Sequence, residues 1–420
     1  MKRITFVLIA ILCAFSLNAQ KITLLHEGDT PLAGQAWPTV FSRAATLIQE
    51  RYPGVTVELI QGTLQGAVDM TLETMIASGN APNVVAITVM RSSKLFKAGQ
   101  AIDLKEYIPA DLKKYEPAIL ARTTRDGHVY ALPQTVAPLG LSVNVSLAEE
   151  VGFKLPAPGS NWTMAQFMEF ARLAKTKGKY GTVFFSGSNP IPYVTAWFTS
   201  FGVEFFKNND YSKVAINSPQ MRATLAWLKD MIAKGYAAPN ASQLIDDDMV
   251  SIFAEGKAAA QPIFPDFLGE VGAKVKAGAI PEAFKSAWYP FPLAPGVKST
   301  GTFLNYAAVV AMDKKDKRLN QIGAELAVLC SDEGFQKQIV TQGSGVASIV
   351  GMANTNTARN MQQLADVVNK YGAYDMGGET PKYPAFRPVL MPLLAQFFDG
   401  KIDAEKLIKD YEKAANEALQ

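Results

Sequence analysis

Apolar positions recur along the chain in two rhythms, and each change of rhythm marks a change of element. Ile22-Thr23-Leu24-Leu25 is a short apolar run of the buried-strand kind, and Thr39 to Glu50 carries the three-and-four spacing of a helix. Tyr52-Pro53-Gly54 is a turn, after which Val55 to Ile60 reads as a strand and Ala67 to Ala77 as a second helix. Gly79-Asn80-Ala81-Pro82 breaks that helix, and Val84-Val85-Ala86-Ile87 is the third strand. Strands alternating with helices predict parallel βαβ units. Asp126-Gly127 is a turn signal, Val129 to Leu132 reads as a strand ending at Pro133, and Leu139 to Val145 is a strand that opens a new region.

That second region has well-marked helix starts. Thr163 and Gln166 form a capping box, with Trp162 and Phe167 at the positions of a hydrophobic staple. Ser218-Pro219 opens a helix whose inner face is read as Met221, Leu225, Leu228 and Ile232, with Gly235 as its stop. Asp403 to Leu419 is an amphipathic helix with Leu407, Ile408, Tyr411 and Ala415 turned inward. Trp162 is accounted for by its staple, and Trp227 lies beside the apolar face of its helix, so both are read as structural.

The first residues follow a different logic. Lys2 and Arg3 precede an almost unbroken apolar run from Ile4 to Phe15, and Asn18-Ala19 offers a small residue before Gln20. This is the layout of a secretory signal peptide over residues 1–19, too short for a comfortable membrane span. Cys13 raises the question of a lipid anchor, but Leu12 is bulky where a lipobox normally has Gly, Ala or Ser. Release into the periplasm or the cell exterior, without a lipid anchor, is therefore the expectation. Loss of Lys2 and Arg3 takes the formal charge from +3 to +1. A nearly neutral chain without a dense basic run has no electrostatic footprint for nucleic acid. Of the cysteines only Cys330 survives processing, which leaves no intramolecular disulfide and no Cys-based zinc site. His26 and His128 show no metal spacing, and neither a Gly-x-Ser-x-Gly elbow nor a P-loop is present.

The punctuation as a whole resembles the family of extracellular solute-binding proteins that includes maltose- and glycerol-phosphate-binding proteins. The landmarks run in order across nearly the whole mature chain. They are Tyr52-Pro53-Gly54-Val55 with Val57-Glu58, then Ala77 to Val84, Ala98-Gly99 with Asp103-Leu104, and Gly127 to Pro133. The segment around Asn144, Trp162 to Phe167, Phe253 to Ala259 and Ser331-Asp332-Glu333 follow. Asn83 departs from the family's usual Asp, keeping a carbonyl acceptor without the charge, and Ala260 stands where Met is common. The resemblance implies an α/β, type II periplasmic-binding-protein fold: two α/β lobes, a hinge and a ligand cleft between them. It places three crossovers near Gln134–Pro138, Gly301 and Gly343–Ala347. The lobes are then 20–136 plus 302–344 and 137–301 plus 345–420. It implies a monomeric, non-enzymatic binder without metal or cofactor, delivering its ligand to the membrane permease subunits of an ABC importer.

A sugar presents hydroxyls at its rim and flat C–H faces, so its site needs planar polar side chains and aromatic faces. The family positions nominate residues of that chemistry. Asp29 follows the first strand, as a hydroxyl acceptor or a solvated turn acid. Arg91 follows the third strand, as a ligand contact or an exposed surface arginine. Gln134, beside a crossover, either bridges hydroxyls or ties backbone. Asn189, Tyr193 and Trp197 follow a Gly/Ser-rich loop; Tyr193 and Trp197 share a helix face, as ligand contacts or as a core stripe. Asp266 is a hydroxyl acceptor in the loop after the Gly-Lys-Ala landmark. Gly301 lets backbone approach the ligand, with Asn305 in the same segment, and Arg387 brings a guanidinium suited to hydroxyls or a phosphate. A di- or oligosaccharide is the first reading of the ligand, and a phosphorylated polyol such as glycerol 3-phosphate is the alternative through Arg91 and Arg387. A secreted carbohydrate-active enzyme with a carboxylate pair is the more distant rival.

Overall fold

The structure is a computed structural model that describes residues 20–26, 36, 38–62, 67–157, 160–188, 191–206, 212–263, 268–298, 304–342, 346–352 and 382–420. The chain divides into two compact units. Unit 1 comprises Met1–Gln134, Ala307–Gln338 and Ser348–Val350; unit 2 comprises Thr135–Tyr306, Ile339–Ala347 and Gly351–Gln420.

Unit 1 is built on β1 (Gln20–His26), α1 (Val40–Arg51), β2 (Val55–Gln61), α2 (Ala67–Ala77), β3 (Val84–Thr88) and α3 (Val89–Lys97). β4 (Leu132–Pro138) and β8 (Leu304–Ala311) complete a five-stranded sheet in the order β2-β1-β3-β8-β4. β1 pairs in parallel with both β2 and β3, while β8 runs antiparallel to β3. Ile22, Leu24 and Leu25 are fully buried, which is why the central strand reads as a continuous apolar run. β2 lies at the edge and alternates instead, with Thr56 and Glu58 exposed. Gly54 sits at φ 87°, a conformation only glycine adopts at no steric cost, and its carbonyl takes the Gln20 N–H at 2.8 Å. The acceptor kept at Asn83 is used: its Oδ1 takes the Thr23 N–H at 3.1 Å.

The expected strand Val129 to Leu132 is divided. His128–Val129 pairs with Thr124–Arg125 in a small hairpin, and β4 begins at Leu132 and continues through Pro133. A proline is tolerated there because β4 is an edge strand and needs no N–H on its open side.

Unit 2 holds a three-stranded antiparallel sheet with β5 (Gly140–Asn144) between β6 (Ala260–Ile263) and β7 (Ser286–Tyr289). Asn144 ends β5 and caps the next helix, α4 (Val145–Glu150), accepting the Leu147 N–H at 2.9 Å. Buried Gln261 acts as a short surrogate strand: its Oε1 accepts Val183 N at 2.9 Å and its Nε2 donates to Val183 O at 3.1 Å. Helices α5 (Met164–Thr176), α6 (Ile191–Ser200), α7 (Pro219–Ala233), α8 (Leu390–Phe398) and α9 (Ala404–Leu419) belong to this unit. The α5 capping box is formed, with Gln166 N donating to Thr163 Oγ1 at 3.2 Å and Thr163 N to Gln166 Oε1 at 2.7 Å. Its staple is formed too, Trp162 meeting Phe167 edge-on at 5.6 Å. The inner face of α7 runs Met221, Thr224, Leu225, Leu228 and Met231, so Met231 takes the place expected for Ile232, which is half-buried. α9 buries Leu407, Ile408, Tyr411 and Ala415, the four residues its periodicity selects.

Back in unit 1, α1 is tied to α10 (Lys317–Leu329) by one carboxylate. Glu325 accepts from Arg51 Nη1 at 2.6 Å, Tyr52 OH at 2.7 Å and Gln321 Nε2 at 2.9 Å. Burial pushes the Glu325 carboxyl up, but the bonds from Arg51, Gln321 and Tyr52 outweigh it and hold it below the usual carboxylate range. Burial first, and the bond to Glu325 second, push the Tyr52 hydroxyl up to about 12. A carboxylate depressed in the folded state contributes stability that is present above its unfolded pKa and lost as pH falls through the folded value. Denaturant midpoints measured from neutral pH downward should therefore show the parent losing its advantage over Glu325→Gln on the acid side. A difference that stays constant with pH would mean that the cluster contributes packing alone.

Candidate functional site

In an open sheet with parallel strands, ligands gather beyond the carboxyl ends of the strands, where the strand order reverses. In unit 1 that reversal is at β1, whose neighbours β2 and β3 are both parallel to it. His26 closes β1 and is buried, its ring 4.7 Å from Phe41. Thr88 closes β3 and stands at the N-cap of α3 without capping it. Its Oγ1 is buried with no hydrogen-bond partner among the described residues. Arg91 lies in the first turn of α3, three residues beyond Thr88. β8 enters from the same end, because Ala307 is in register with Thr88 on an antiparallel strand and Asn305 lies two residues before it. The backbone thus brings the start of α3 and Thr88 to one end of the sheet, at the carboxyl side of β1. Thr88 was missed by sequence reasoning. The signal available was its position as the last residue of a parallel strand directly before a helix.

In unit 2, β6 pairs Ile263 with Gly140, so β6 ends beside the start of β5. Tyr193 lies on α6, half-buried, with its ring 6.4 Å from that of Phe185. Arg387 lies in a short turn of helix, Arg387–Val389, and is also half-buried.

Two expected ligand contacts turn out to have structural roles. Trp197 is 1 % exposed. Its ring is packed by Phe167 at 5.2 Å, Trp227 at 5.1 Å, Phe291 at 5.5 Å and Phe184 at 6.2 Å. The helix spacing that put it on one face with Tyr193 is real, but the stripe rotates inward along α6, and no ring face is left for a sugar. Gln134 is 8 % exposed, and its Nε2 donates to the Cys330 carbonyl at 2.9 Å, so it ties backbone. Trp162 and Trp227 are buried, as their sequence context indicates, with Trp162 Nε1 donating to the Pro290 carbonyl at 2.7 Å. Asp29, Asn189, Asp266 and Gly301 lie outside the described residues. The two histidines are far from one another in role: His128 Nδ1 is 2.8 Å from Asp103 Oδ2 in unit 1, and His26 packs on Phe41. Among the described residues no three His, Cys, Asp or Glu side chains stand together as a metal cage.

The fold is shared with solved proteins over nearly the whole chain. The maltose-bound MalE3 of T. maritima superposes with a TM-score of 0.76 at 18 % identity, covering 94 % of this chain and 99 % of that one. The GacH receptor of Streptomyces glaucescens, solved unliganded and with acarbose, gives 0.73 at 17 % identity over 96 % and 98 %. The cyclic α-maltosyl-1,6-maltose binding protein of Arthrobacter globiformis gives 0.72 at 15 % identity over 95 % and 98 %. The architecture is thus that of the type II periplasmic binding proteins. Residues 28–333 match the bacterial extracellular solute-binding protein family, and the chain belongs to that family. A curated relative, an uncharacterized lipoprotein in the oleD 5' region of Streptomyces antibioticus, is 28 % identical over 131 residues. That match spans 31 % of this chain and only 29 % of the relative's length.

The placement of Trp197 has a measurable consequence. Trp197→Ala should lower the unfolding free energy by about 3–5 kcal/mol, as for a large aromatic removed from a core. Tyr193→Ala, at a half-buried position, should cost about 1 kcal/mol. Equilibrium denaturation of the two variants checks the order, and equal losses would contradict the assignment of Trp197 to the core.

Proposed function

We propose that the protein captures a sugar, a di- or oligosaccharide, outside the cytoplasm and hands it to the permease subunits of an ABC importer. The observation that carries this reading is the match to the solute-binding family over residues 28–333, joined to a fold shared with proteins solved with maltose and acarbose. Capture works by hinge closure of the two lobes. Ligand contacts made only in the closed form supply the differential affinity that shifts the population. No step of this needs a chemical transformation, so the protein acts as a monomeric binder rather than an enzyme. Export removes residues 1–19 and Cys13 with them; the partial relative named a lipoprotein makes anchoring at Cys13 the competing outcome.

In this reading Asp29 and Asn305 accept or bridge sugar hydroxyls, and Arg91 and the Thr88 hydroxyl donate to them. The buried, unpartnered Thr88 Oγ1 supports this role, since such groups are rare unless something arrives to satisfy them. From unit 2, Asp266 and Asn189 supply further polar contacts, Gly301 lets backbone approach, and Arg387 holds hydroxyls. Tyr193 supplies the aromatic face against the sugar C–H surface, the part first considered for Trp197.

A thermal-shift panel of maltose, maltotriose, chitobiose and glycerol 3-phosphate tests the ligand class. A true ligand at 100 times its dissociation constant adds roughly 2.7 kcal/mol of stability. One of the sugars should raise the transition, and Thr88→Val or Asp266→Ala should weaken its binding while Gln134→Leu leaves the contacts themselves intact. A shift by glycerol 3-phosphate alone, lost on adding salt, would replace the sugar with a phosphate ester.

A further inference from the structure

We infer that a buried hydroxyl–amide knot around the Pro133 carbonyl is the fixed anchorage of the hinge, and that it confines motion to the residues just outside it. The inference rests on the solute-capture reading, because a hinge matters only if the units move. The Pro133 carbonyl accepts from Ser331 Oγ at 2.7 Å and from Ser348 Oγ at 3.0 Å. Gln336 completes the circuit: its Oε1 takes the Ser348 N–H at 2.6 Å and its Nε2 donates to Ser348 Oγ at 2.6 Å. Ser331 Oγ in turn accepts from Tyr115 OH at 3.0 Å. Next in sequence to Pro133, Gln134 Nε2 holds the Cys330 carbonyl. Ser331 and Ser348 are fully buried and Gln336 is 1 % exposed.

All of these groups belong to unit 1, and their positions along the chain are the telling feature. The chain leaves unit 1 after Gln134 and again after Gln338, re-enters at Ser348 and leaves after Val350. Gln134 is the last residue before one exit, Gln336 is two residues before another, and Ser348 is the first residue of the re-entry. One carbonyl and one amide therefore clamp three passages of the chain from the same side. A fully satisfied buried polar network fixes one arrangement of its members, which an apolar patch of equal stability does not do. Pro133 adds its own restriction, with φ held by the ring. Bending is then left to the far half of β4, from Thr135 to Pro138, and to the other passages outside the knot.

The experiment uses the full mature protein without ligand, carrying spin labels at Lys113→Cys in unit 1 and Ala226→Cys in unit 2. Both positions are exposed, and the native Cys330 is fully buried. Pulsed dipolar spectroscopy then reads the spread of distances between the units. Ser348→Ala should raise the population outside the parent's main distance peak by roughly three- to tenfold, the consequence of one or two buried hydrogen bonds lost. Gln336→Met should raise it further; if that variant does not fold, Ser348→Ala alone decides. Leu326→Ala, a cavity in the apolar core of unit 1, serves as a control of at least equal loss in melting temperature and should keep the parent's distribution. Ser348→Ala with the parent's distribution, or Leu326→Ala broadened equally, would overturn the anchorage. Because no ligand is present, that result is separable from a failure of the sugar panel, which would strike the capture reading instead.

Discussion

Where a central strand is paired in parallel on both sides, a right-handed crossover to one neighbour and a second one back over it to the other run in opposite directions, so the connecting helices lie on opposite faces of the sheet. β1 has that position in unit 1, between β2 and β3. The consequences follow without further assumptions. Both faces of β1 are covered, which requires Ile22, Leu24 and Leu25 to be apolar. The carboxyl ends of β1 and β3 lie side by side, and α3 starts directly after Thr88. The antiparallel entry of β8, with Ala307 beside Thr88, adds a third segment at the same end. That one pairing sets which chain ends meet at the carboxyl side of β1, and Thr88 and the start of α3 are among them.

Unit 2 distributes its resources differently. Its large aromatics, Trp162, Trp197, Trp227, Phe167 and Phe184, are committed to a common core. Such close packing resists internal rearrangement of the unit. Tyr193, on the same helix as Trp197, is half-buried instead. A hinge-closing binder needs rigid units and well-defined pivots. The packing of unit 2 and the polar knot of unit 1 are two ways of meeting those needs.

Much of this was legible in the sequence where local chemistry decides the outcome. The capping box at Thr163, the staple at Trp162 and the inward face of α9 are all set by residues within one or two turns of each other. The strands β1, β2 and β3 were readable because apolar runs between clear breakers allow little else. Reading failed where partners are remote. Ser331 and Ser348 look like ordinary loop serines, and only the fold reveals that both reach a carbonyl 198 and 215 residues away. Trp197 is a similar case: its helix face was correctly read, but whether that face meets solvent or Trp227 depends on how α6 packs. The division of the Val129–Leu132 strand turned on His128–Val129 pairing with Thr124–Arg125 in a separate hairpin, which periodicity does not disclose. The placement of Thr88 is intermediate, since its strand was recognised but its unpartnered hydroxyl was not.

The central claim is that ligand binding and closure of the two units are one event. Small-angle scattering tests this directly, with the mature protein measured free and then saturated with the sugar that raises its melting temperature. A ligand that moves a two-state equilibrium from about 99 % open to about 99 % closed must favour the closed form by about 5.5 kcal/mol. Such a shift should reduce the radius of gyration and sharpen the interunit distance distribution. An unchanged radius at saturation, with binding verified by calorimetry in the same sample, would contradict capture by closure.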